Sequence, residues 1–481
     1  MSLNQVIWTI VKILVMVGFL VNVGGLLTWV DRRLSAMIHD RVGPNRATLK
    51  LGKFELRIAG LLHTAADGVK FFFKEDFMPP KADKLLFSLA PMLSMMPVVA
   101  LLAVIPFGDT ISPAQLWSYA CVKDGTRYFL ENGQCVDAAK QAVAGLQPTL
   151  VFPAAQRFGL ATYGQEAVEL QIATLNVGLL YIFAMAGQGI VGAAIAGWSS
   201  DNKFSLMGGL RAASQMVSYE VTMGLTVIGA LMIYGSIRLE DMVRWQGENT
   251  WGIFVQPVGF ILFFTAAVAE SKRIPFDLPE AESELVSGYF TEYSGMKFAM
   301  FYTAEYMEIV TSSMLLVTIF LGGWQLPFLH RDGITIAFGE TTLFAQRVPH
   351  IWMIIFGVVA FFGKTLALCA VQAFIRWSLP RFRYDQLMKL GWTVLLPASL
   401  ANIFATGIVW LALQRGGDSV AAGLKVAADV TQGFTAVLIT ALLGWAVVGF
   451  MRRPQRVTQI LGTSAEMADA AGGTKTAPMR A

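Results

Sequence analysis

Long apolar runs alternate with polar segments along most of the chain. The runs cover residues 3–29, 85–107, 174–198, 212–234, 253–271, 298–321, 350–376, 391–413 and 430–451. A transmembrane α-helix needs about 20 mostly apolar residues, and runs of this length fit that requirement. The pattern predicts an all-α, polytopic integral membrane protein with about nine transmembrane helices.

The composition agrees with a membrane location. Of the 481 residues, 55% are hydrophobic and 15% are charged, whereas a soluble domain carries about 25% charged residues. These values exclude the soluble enzyme classes. The first run begins almost at Met1 and is too long for the core of a signal peptide, so we expect it to remain as an anchor.

The basic residues predict an orientation. The loop after the first run, and every second loop after it together with the C-terminal tail, hold 25 Lys and Arg, against 10 on the opposite side. The positive-inside rule then places the N-terminus outside and the C-terminus in the cytoplasm. Because the basic residues follow the loops, we expect no nucleic-acid partner.

Two patterns that often bind cofactors have plainer explanations here. Gly187, Gly189 and Gly192 match G-x-G-x-x-G, but the motif lies inside an apolar run instead of a strand-to-helix turn. We interpret it as close helix packing and expect no nucleotide. The four histidines are scattered, so we predict no metal site and expect electrons to come from a partner.

The segment from 269 to 308 concentrates carboxylates between two apolar runs. Its acids are Glu270, Asp277, Glu280, Glu282, Glu284, Glu292, Glu305 and Glu308. If the chain is helical after Pro279, then Asp277, Glu280 and Glu284 share one helix face. A solvated loop with ordinary surface acids is one interpretation. Interleaved apolar residues, and two acids well inside an apolar run, favour a buried, partly hydrated acidic cavity.

Two further charges lie within apolar runs. Glu220 is in the fourth run and Lys364 is near the middle of the seventh. An ion facing lipid costs on the order of 2.5–3.5 kcal/mol, so both side chains should face the protein interior. The pair could carry protons, or form a structural Lys–Glu pair.

The first loop contains an amphipathic segment, GLLHTAADGVKFFFKED, at residues 60–76. Its apolar residues recur at spacings of three and four, with His63, Asp67, Lys70 and Lys74 on another face. We predict a helix that lies at the membrane interface.

A long outer loop covers residues 108–173 and holds Cys121 and Cys135. Asp-Gly at 124–125 and Asn-Gly at 132–133 are hairpin signals around the β-prone run 127–130, so we predict a three-strand meander. The predicted orientation puts this loop on the outer side of the membrane. If the meander places the two cysteines on neighbouring segments, a disulfide is expected there in an oxidising periplasm. Two free thiols are the alternative.

Several strings together resemble one family. VDRRLSAMIHDRVGPNR, ADGVKFFFKED, AESKRIPFDLPEAESELVSGYFTEYSGMKFAMFYTAEY and LPRFRYDQLMKLGW look like the H subunit of bacterial NADH-quinone oxidoreductase, respiratory complex I, and its mitochondrial counterpart, NADH dehydrogenase subunit 1. The resemblance covers about 31–107 and 174–413. The chain departs from the family at Asp31, where a Glu is usual, and at His63, where a Gln is usual. It also has an insertion between Arg46 and Gly60.

Further departures define the periphery. The loop 108–173 is an insertion, the run 430–451 is a ninth helix beyond the usual eight, and the composition of residues 454–481 predicts a disordered cytoplasmic tail. We therefore expect one membrane domain over 1–453 followed by that tail.

The resemblance implies roles for individual residues. The quinone channel would be lined or bordered by Arg32, Arg41, Arg46, Asp67, Arg211 and Arg273. The proton path would contain Glu220, Glu270, Asp277, Glu280, Glu282, Glu284, Glu292, Glu305 and Lys364. His63 would stand beside the quinone entrance, where an imidazole changes charge near neutral pH.

The resemblance also implies the function. We expect a multi-pass subunit of a bacterial inner-membrane enzyme that couples quinone reduction to proton translocation. Quinone would be its substrate, with NADH, FMN and iron–sulfur clusters on partner subunits. The alternatives are the membrane anchor of a related proton-pumping hydrogenase or ferredoxin-linked complex, and a stand-alone ion transporter. The transporter is disfavoured, because we find neither internal repeats nor paired broken helices.

Overall fold

The computed structural model describes most of the chain. The described residues are 3–41, 43–44, 47–51, 54–56, 60–110, 119–123, 126–131, 134–136, 149–150, 169–279, 282–330, 333–338, 341–348, 350–415 and 417–451. The predicted tail, 454–481, lies outside them.

The architecture is a bundle of long helices with short antiparallel sheets in its loops. The helices are α1 (Leu3–Ile38), α2 (Leu62–Phe73), α3 (Lys84–Leu101), α4 (Gly178–Ser199), α5 (Lys203–Tyr234), α6 (Leu239–Glu248), α7 (Gly252–Val255), α8 (Pro257–Glu270), α9 (Glu282–Leu285), α10 (Gly295–Phe320), α11 (His350–Ser378), α12 (Tyr384–Lys389), α13 (Leu396–Gln414) and α14 (Gly417–Met451). A 3₁₀ turn covers Gly288–Phe290, and a π-helical segment, Leu390–Leu395, joins α12 to α13.

The strands form three small sheets. They are β1 (Leu49–Leu51), β2 (Phe54–Leu56), β3 (Tyr119–Lys123), β4 (Thr126–Glu131), β5 (Gln134–Val136), β6 (Thr149–Leu150), β7 (Leu329–His330), β8 (Gly333–Phe338) and β9 (Thr341–Arg347). The sheet orders are β1-β2, β5-β4-β3-β6 and β7-β8-β9. The strands therefore belong to the connections, and the membrane domain is helical.

Each of the nine predicted runs overlaps at least one of these helices. Within the described part of the chain, six helical stretches are long and apolar enough to cross a membrane: α1, α3, α4, α5, α11 and the continuous stretch 384–414. The polytopic helical class is confirmed. The number of nine crossings remains a prediction, because α8 has only 14 residues and neither α10 nor α14 is among these six stretches.

Two helices organise the bundle. α5 packs against α4, α8 and α13, whereas α10 packs against α1, α3 and α11. Small residues permit the closest approaches: a Cβ added at Gly192 would lie 2.8 Å from the Ser94 backbone nitrogen, and one at Gly197 would lie 3.0 Å from the Gly209 Cα. The interpretation of the glycine motif as helix packing is therefore confirmed.

The amphipathic helix is confirmed as α2, which packs on α1 and α10. Val69, Phe72 and Phe73 on this helix are exposed, whereas the Asp67 carboxylate is held against α1 by Arg32. Part of its apolar face is therefore exposed, and its position at the membrane interface remains a prediction.

The outer meander forms, but its register is not the one that a disulfide needs. β4 is the middle strand, with Cys121 on β3 opposite Tyr128 and Cys135 on β5 opposite Leu130. Strands on either side of a middle strand are about 9–10 Å apart, twice the usual spacing. Disulfides require Cα atoms roughly 4.4–6.8 Å apart. The expected placement of the cysteines on neighbouring segments is therefore wrong.

The two ends of the outer insertion are fixed to the bundle. Lys12 Nζ on α1 donates to the backbone oxygens of Glu169 (3.1 Å) and Gln171 (2.5 Å). At the other end, Arg244 Nη2 on α6 donates to Thr110 Oγ1 at 3.1 Å. The insertion therefore leaves and rejoins the bundle at defined positions.

Candidate functional site

A chamber lies where the end of α1, the start of α2, the first half of α10 and the end of α11 meet. Its lining includes Asp31, Arg32, Arg41, His63, Tyr302, Tyr306 and Arg376. Both apolar and basic side chains contribute to this lining. A cavity of this character suits an amphipathic ligand with an anionic or strongly polar headgroup.

A buried carboxylate organises the inner wall of the chamber. Asp31 accepts hydrogen bonds from the guanidinium of Arg376 and from the hydroxyl of Tyr306, the latter at 2.9 Å. The Tyr302 hydroxyl lies 3.2 Å from that of Tyr306. These contacts join α1, α10 and α11, because each helix supplies one of the central partners.

The predicted quinone-channel residues divide between the chamber and other places. Arg32 and Arg41 line the chamber, and Arg32 forms an ion pair with Asp67 at 2.6 Å. Arg211 lies elsewhere and pairs with Glu284 at 2.6 Å. Arg46 lies outside the described residues.

Arg273 stands behind the chamber, between it and the acids. Its guanidinium carbon lies 3.9 Å from the centre of the Tyr306 ring, close enough for a cation–π contact. Its Nη2 lies 3.4 Å from Glu305 Oε2. One buried cation therefore contacts both the chamber wall and the acidic group.

The deepest acids line a separate cavity between α3, α4, α5, α8 and α10. Glu305 accepts a hydrogen bond from the Tyr289 hydroxyl at 3.2 Å, and Glu308 pairs with Lys272 at 3.4 Å. Glu270 contributes to the same lining, and the cavity has a volume of about 50 Å³. A water needs roughly 10–15 Å³ by this measure, so the cavity has room for a few waters between the carboxylates.

Glu220 extends this group towards α4. A Cβ added at Gly187 would lie 3.5 Å from Glu220 Oε1, so the glycine leaves room for the carboxylate. The side chain is half-buried. The structure thus brings together Glu220, Glu270, Glu305 and Glu308 around one side of α5, α8 and α10.

The remaining acids lie in the 271–294 connection, where Asp277 is buried and Glu292 is partly exposed. Asp277 accepts a hydrogen bond from Arg381 Nη2 at 3.0 Å, and Glu292 accepts one from Asn202 Nδ2 at 2.6 Å. Burial raises the pKa of Asp277 to about 6, although the nearby Arg381 charge lowers it. Asp277 therefore changes charge close to neutral pH.

The prediction that Asp277, Glu280 and Glu284 share one helix face is wrong. α9 has four residues and begins after Asp277, so Asp277 and Glu284 point to different partners, Arg381 and Arg211. Glu280 lies outside the described residues, as does the side chain of Glu282.

Lys364 is apart from the acidic group. Its ammonium donates to the backbone oxygens of Leu321 (2.7 Å), Gly323 (3.1 Å) and Gln325 (2.6 Å) and lies 4.1 Å from the Trp251 ring centre. These three carbonyls match the three ammonium protons. Lys364 therefore closes the far end of α10, and the Lys–Glu pair that the sequence allowed is not formed.

Several important side chains were not among the residues predicted for the site. Tyr306 and Tyr289 hold carboxylates, Lys272 pairs with Glu308, and Arg376 binds Asp31. Tyr306 directly follows Glu305, and Lys272 precedes Arg273, so their positions in the acid-rich segment are a usable signal. Arg376 gives no such signal, because it ends an apolar run and fits the orientation rule.

No group of three or more His, Cys, Asp and Glu suited to a metal ion occurs in the described part of the chain. Four of the acids instead face arginine, lysine or tyrosine side chains: Asp277, Glu284, Glu305 and Glu308.

Fold and site together define a polytopic helical membrane protein in which an arginine- and tyrosine-lined chamber adjoins a buried acidic cavity. The model of the NADH dehydrogenase family matches residues 10–120 and 118–407. The chain belongs to this family.

Individual relatives agree over most of the chain. It is 37% identical over 380 residues to one H subunit of the NADH-quinone oxidoreductase of Cytophaga hutchinsonii, covering 79% of this chain and 90% of the relative. It is 39% identical over 400 residues to an H subunit of the same enzyme from Geobacter sulfurreducens, covering 83% and 94%. An H subunit from Geobacter metallireducens is 38% identical over 406 residues, covering 83% and 94%.

These similarities confirm the family that the sequence motifs indicated. As a member, the chain is a multi-pass membrane subunit of the NADH-quinone oxidoreductase enzyme complex, respiratory complex I, and other subunits of that complex are its partners.

Proposed function

We propose that this subunit forms part of the quinone chamber of its complex and couples quinone reduction to proton translocation through the acidic cavity. Quinone is the substrate, and NADH, FMN and iron–sulfur clusters belong to partner subunits. The complex would lie in the bacterial inner membrane, with the N-terminus of this chain outside. The names of the relatives favour this function over a hydrogenase anchor or a stand-alone transporter.

The observation that carries the proposal is the position of Arg273. Its guanidinium lies 3.9 Å from the Tyr306 ring centre on the chamber side and 3.4 Å from Glu305 on the acidic side. Charge changes on either side therefore act on the same cation. Burial strengthens this coupling, because Arg273 and Glu305 are both shielded from solvent.

The chamber has the ingredients that a quinone headgroup needs. Arginine keeps its charge in a dehydrated pocket and donates hydrogen bonds in a fixed fork. Arg32, Arg41 and Arg376 supply such groups, and Tyr302 and Tyr306 add hydroxyls. The exposed apolar side chains of α2 offer a surface for the isoprenoid tail at the membrane interface.

Coupling would follow from electrostatics. Reduction of a quinone takes two electrons and two protons, so negative charge develops at the headgroup before the protons arrive. That charge attracts Arg273 and Arg376 and weakens the hold of Arg273 on Glu305. Proton uptake by the coupled acids, Glu305, Glu308, Glu270 and Glu220, then becomes more favourable. The acidic cavity has room for waters that would connect these acids. Asp277 and Glu284 would extend the path towards the surface.

The test is a pair of variants in the assembled complex, reconstituted into vesicles. Glu305→Gln keeps the shape of the side chain but removes the titrating group, and Arg273→Met removes the shared cation. We expect proton pumping to be lost in Glu305→Gln, with slower quinone reduction in both variants. NADH oxidation by a soluble acceptor should stay at the wild-type rate, because it reports on the partner subunits alone.

Glu248→Gln is the matched control, since Glu248 is an exposed glutamate at the end of α6, away from both cavities. It should pump and turn over like the wild type. Wild-type pumping in Glu305→Gln, together with wild-type turnover in Arg273→Met, would overturn the proposed function.

A further inference from the structure

The connection between α11 and α12 lies against the acid-bearing segment through two successive residues. The Phe382 backbone N–H donates to the oxygen of Pro275 at 3.1 Å. The Phe382 ring stacks on that of Phe276, with centres 5.4 Å apart and planes 9° from parallel. Arg381 then donates to the Asp277 carboxylate at 3.0 Å.

The same segment is held from the other side by α5. Gln215 Nε2 is buried and donates to the oxygens of Ala269 and Phe276, both at 2.7 Å. Residues 275–277 are therefore enclosed between a glutamine on α5 and the side chains at 381–382. Movement of either partner would move this short segment.

A turn joins the segment to Arg273. The Phe276 N–H donates to the Arg273 oxygen at 2.7 Å, which closes the chain between them. A shift of Phe276 is therefore transmitted through a four-residue turn to the cation that contacts Tyr306 and Glu305.

We propose that Arg381 and Phe382 are positioning residues for the coupled reaction: they hold residues 275–277 in place and thereby fix Arg273 between the chamber and Glu305. This inference rests on the proposed function. It assigns a role to the PRFRYDQLM string, whose residues lie outside the chamber and the acidic cavity described above. Neither residue needs to touch the substrate.

The charges around Asp277 determine how Arg381 acts on it. Arg381, Arg273 and Arg376 are the cations that face this carboxylate, and Glu305 is the facing anion. Burial raises the pKa of Asp277 to about 6, and the Arg381 charge opposes that rise. Loss of Arg381 should therefore raise the pKa of Asp277 further, so that Asp277 stays protonated to higher pH.

The experiment uses four variants of the assembled complex: Arg381→Gln, Arg381→Lys, Phe382→Leu and Phe382→Tyr. Two measurements are made on each. One is the pH profile of NADH-driven quinone reduction, with kcat and the quinone KM determined separately. The other is amide hydrogen exchange in peptides covering 271–279.

We expect Arg381→Gln to move the acidic limb of the kcat profile to higher pH, and Arg381→Lys to restore it in part. Phe382→Leu should speed amide exchange in 271–279 and lower kcat by about two- to tenfold, the range that loss of an aromatic pair implies. Phe382→Tyr keeps the stack and should resemble the wild type. The quinone KM should change little in these variants.

Arg383→Gln is the control, because Arg383 is an exposed arginine in the same connection. A wild-type pH profile in Arg381→Gln with wild-type exchange in Phe382→Leu would overturn the inference. The Glu305→Gln variant, measured beside these, decides the proposed function separately. Impaired Glu305→Gln with unaffected Arg381 and Phe382 variants would leave the proposed function standing and remove only this inference.

Discussion

Tyr306 uses its hydroxyl and its ring for different partners. The hydroxyl donates to Asp31 at 2.9 Å, and the ring lies under the Arg273 guanidinium at 3.9 Å. A phenylalanine could replace the second contact but not the first. The two contributions of this residue are therefore separable by substitution.

We predict that Tyr306→Phe will raise the quinone KM. Asp31 accepts hydrogen bonds from Tyr306 and Arg376, and this substitution leaves it only the bond from Arg376. A hydrogen bond to a charged group contributes about 1.5–3 kcal/mol, equivalent to roughly ten- to a hundredfold in affinity. Tyr306→Leu removes the ring contact as well and should have a larger effect. The measurement is steady-state quinone reduction by the assembled complex.

Tyr181→Phe provides the comparison. The Tyr181 hydroxyl also donates one hydrogen bond, to the Ala100 oxygen at 3.3 Å, at the contact between α4 and α3. If Tyr181→Phe and Tyr306→Phe change the KM equally, the loss is general and the role assigned to Tyr306 is wrong.

Single residues differ in how far the sequence could predict their surroundings. Burial of Glu305 is predictable because an ion in an apolar run cannot face lipid at low cost. The partners of Lys364 are not predictable, since backbone carbonyls at a helix end carry no side-chain signal. Arg376 is ambiguous for a different reason: a basic residue at the end of a span fits the orientation rule equally well.

At the scale of elements, Gln246 joins α6, α7 and the end of α10. Its Oε1 accepts from the N–H groups of Gly252 and Gly322, both at 2.9 Å. Its Nε2 donates to the oxygens of Met242 (3.2 Å) and Thr318 (2.9 Å). The amide thus uses both its donors and both its acceptor positions.

We predict that Gln246→Glu will destabilise the protein by about 1–3 kcal/mol, the cost of leaving buried polar groups without partners. A carboxylate accepts from the two glycines but donates to neither carbonyl when ionised. Thermal inactivation of the assembled complex is the measurement. Gln414→Glu, at an exposed end of α13, should leave the inactivation temperature unchanged, and equal stability of both variants would refute the prediction.

The elements of the outer insertion show what turn signals can and cannot predict. The Asp-Gly and Asn-Gly steps correctly indicated three short strands, because such dipeptides favour tight hairpins. They did not by themselves show which residues lie opposite each other on neighbouring strands. Sequential hairpins place the second strand in the middle, so Cys121 and Cys135 lie on strands either side of it.

For the whole molecule, the distribution of Lys and Arg remains a prediction about orientation. α12, the π segment and α13 form one continuous stretch, so its two ends should lie on opposite sides of the membrane. Two basic residues mark the ends: Lys389 at the end of α12 and Arg415 just after α13. They form a matched pair for labelling.

We predict that an impermeant thiol reagent, applied to right-side-out vesicles, will label Arg415→Cys and not Lys389→Cys in a background without Cys121, Cys135 and Cys369. The reason is the positive-inside rule. In inside-out vesicles the result should reverse. Labelling of Lys389→Cys from outside would invert the orientation, and labelling of both from one side would show that the stretch does not cross.

The bundle was more predictable than the contacts between its parts. Hydropathy located a helix in every predicted run, because each run had to leave water. Hydropathy could not predict that the acidic side chains of α10 point into the bundle along one side of the helix. That outcome depends on which helices pack together, as the pairing of Lys272 with Glu308 and of Arg273 with Glu305 illustrates.

The π segment at Leu390–Leu395 interrupts the α-helical winding between α12 and α13, so it sets how the faces of the two helices are rotated relative to each other. On its α12 side, the Leu387 oxygen accepts from the Tyr219 hydroxyl at 2.9 Å, whereas Phe404 and Ile408 on α13 are exposed. A π turn accommodates one residue more than an α turn. Deleting one residue there would restore continuous α-helical winding and rotate one side relative to the other by about 100°. A deletion in this short segment would therefore bring a different face of α13 into contact with the rest of the bundle.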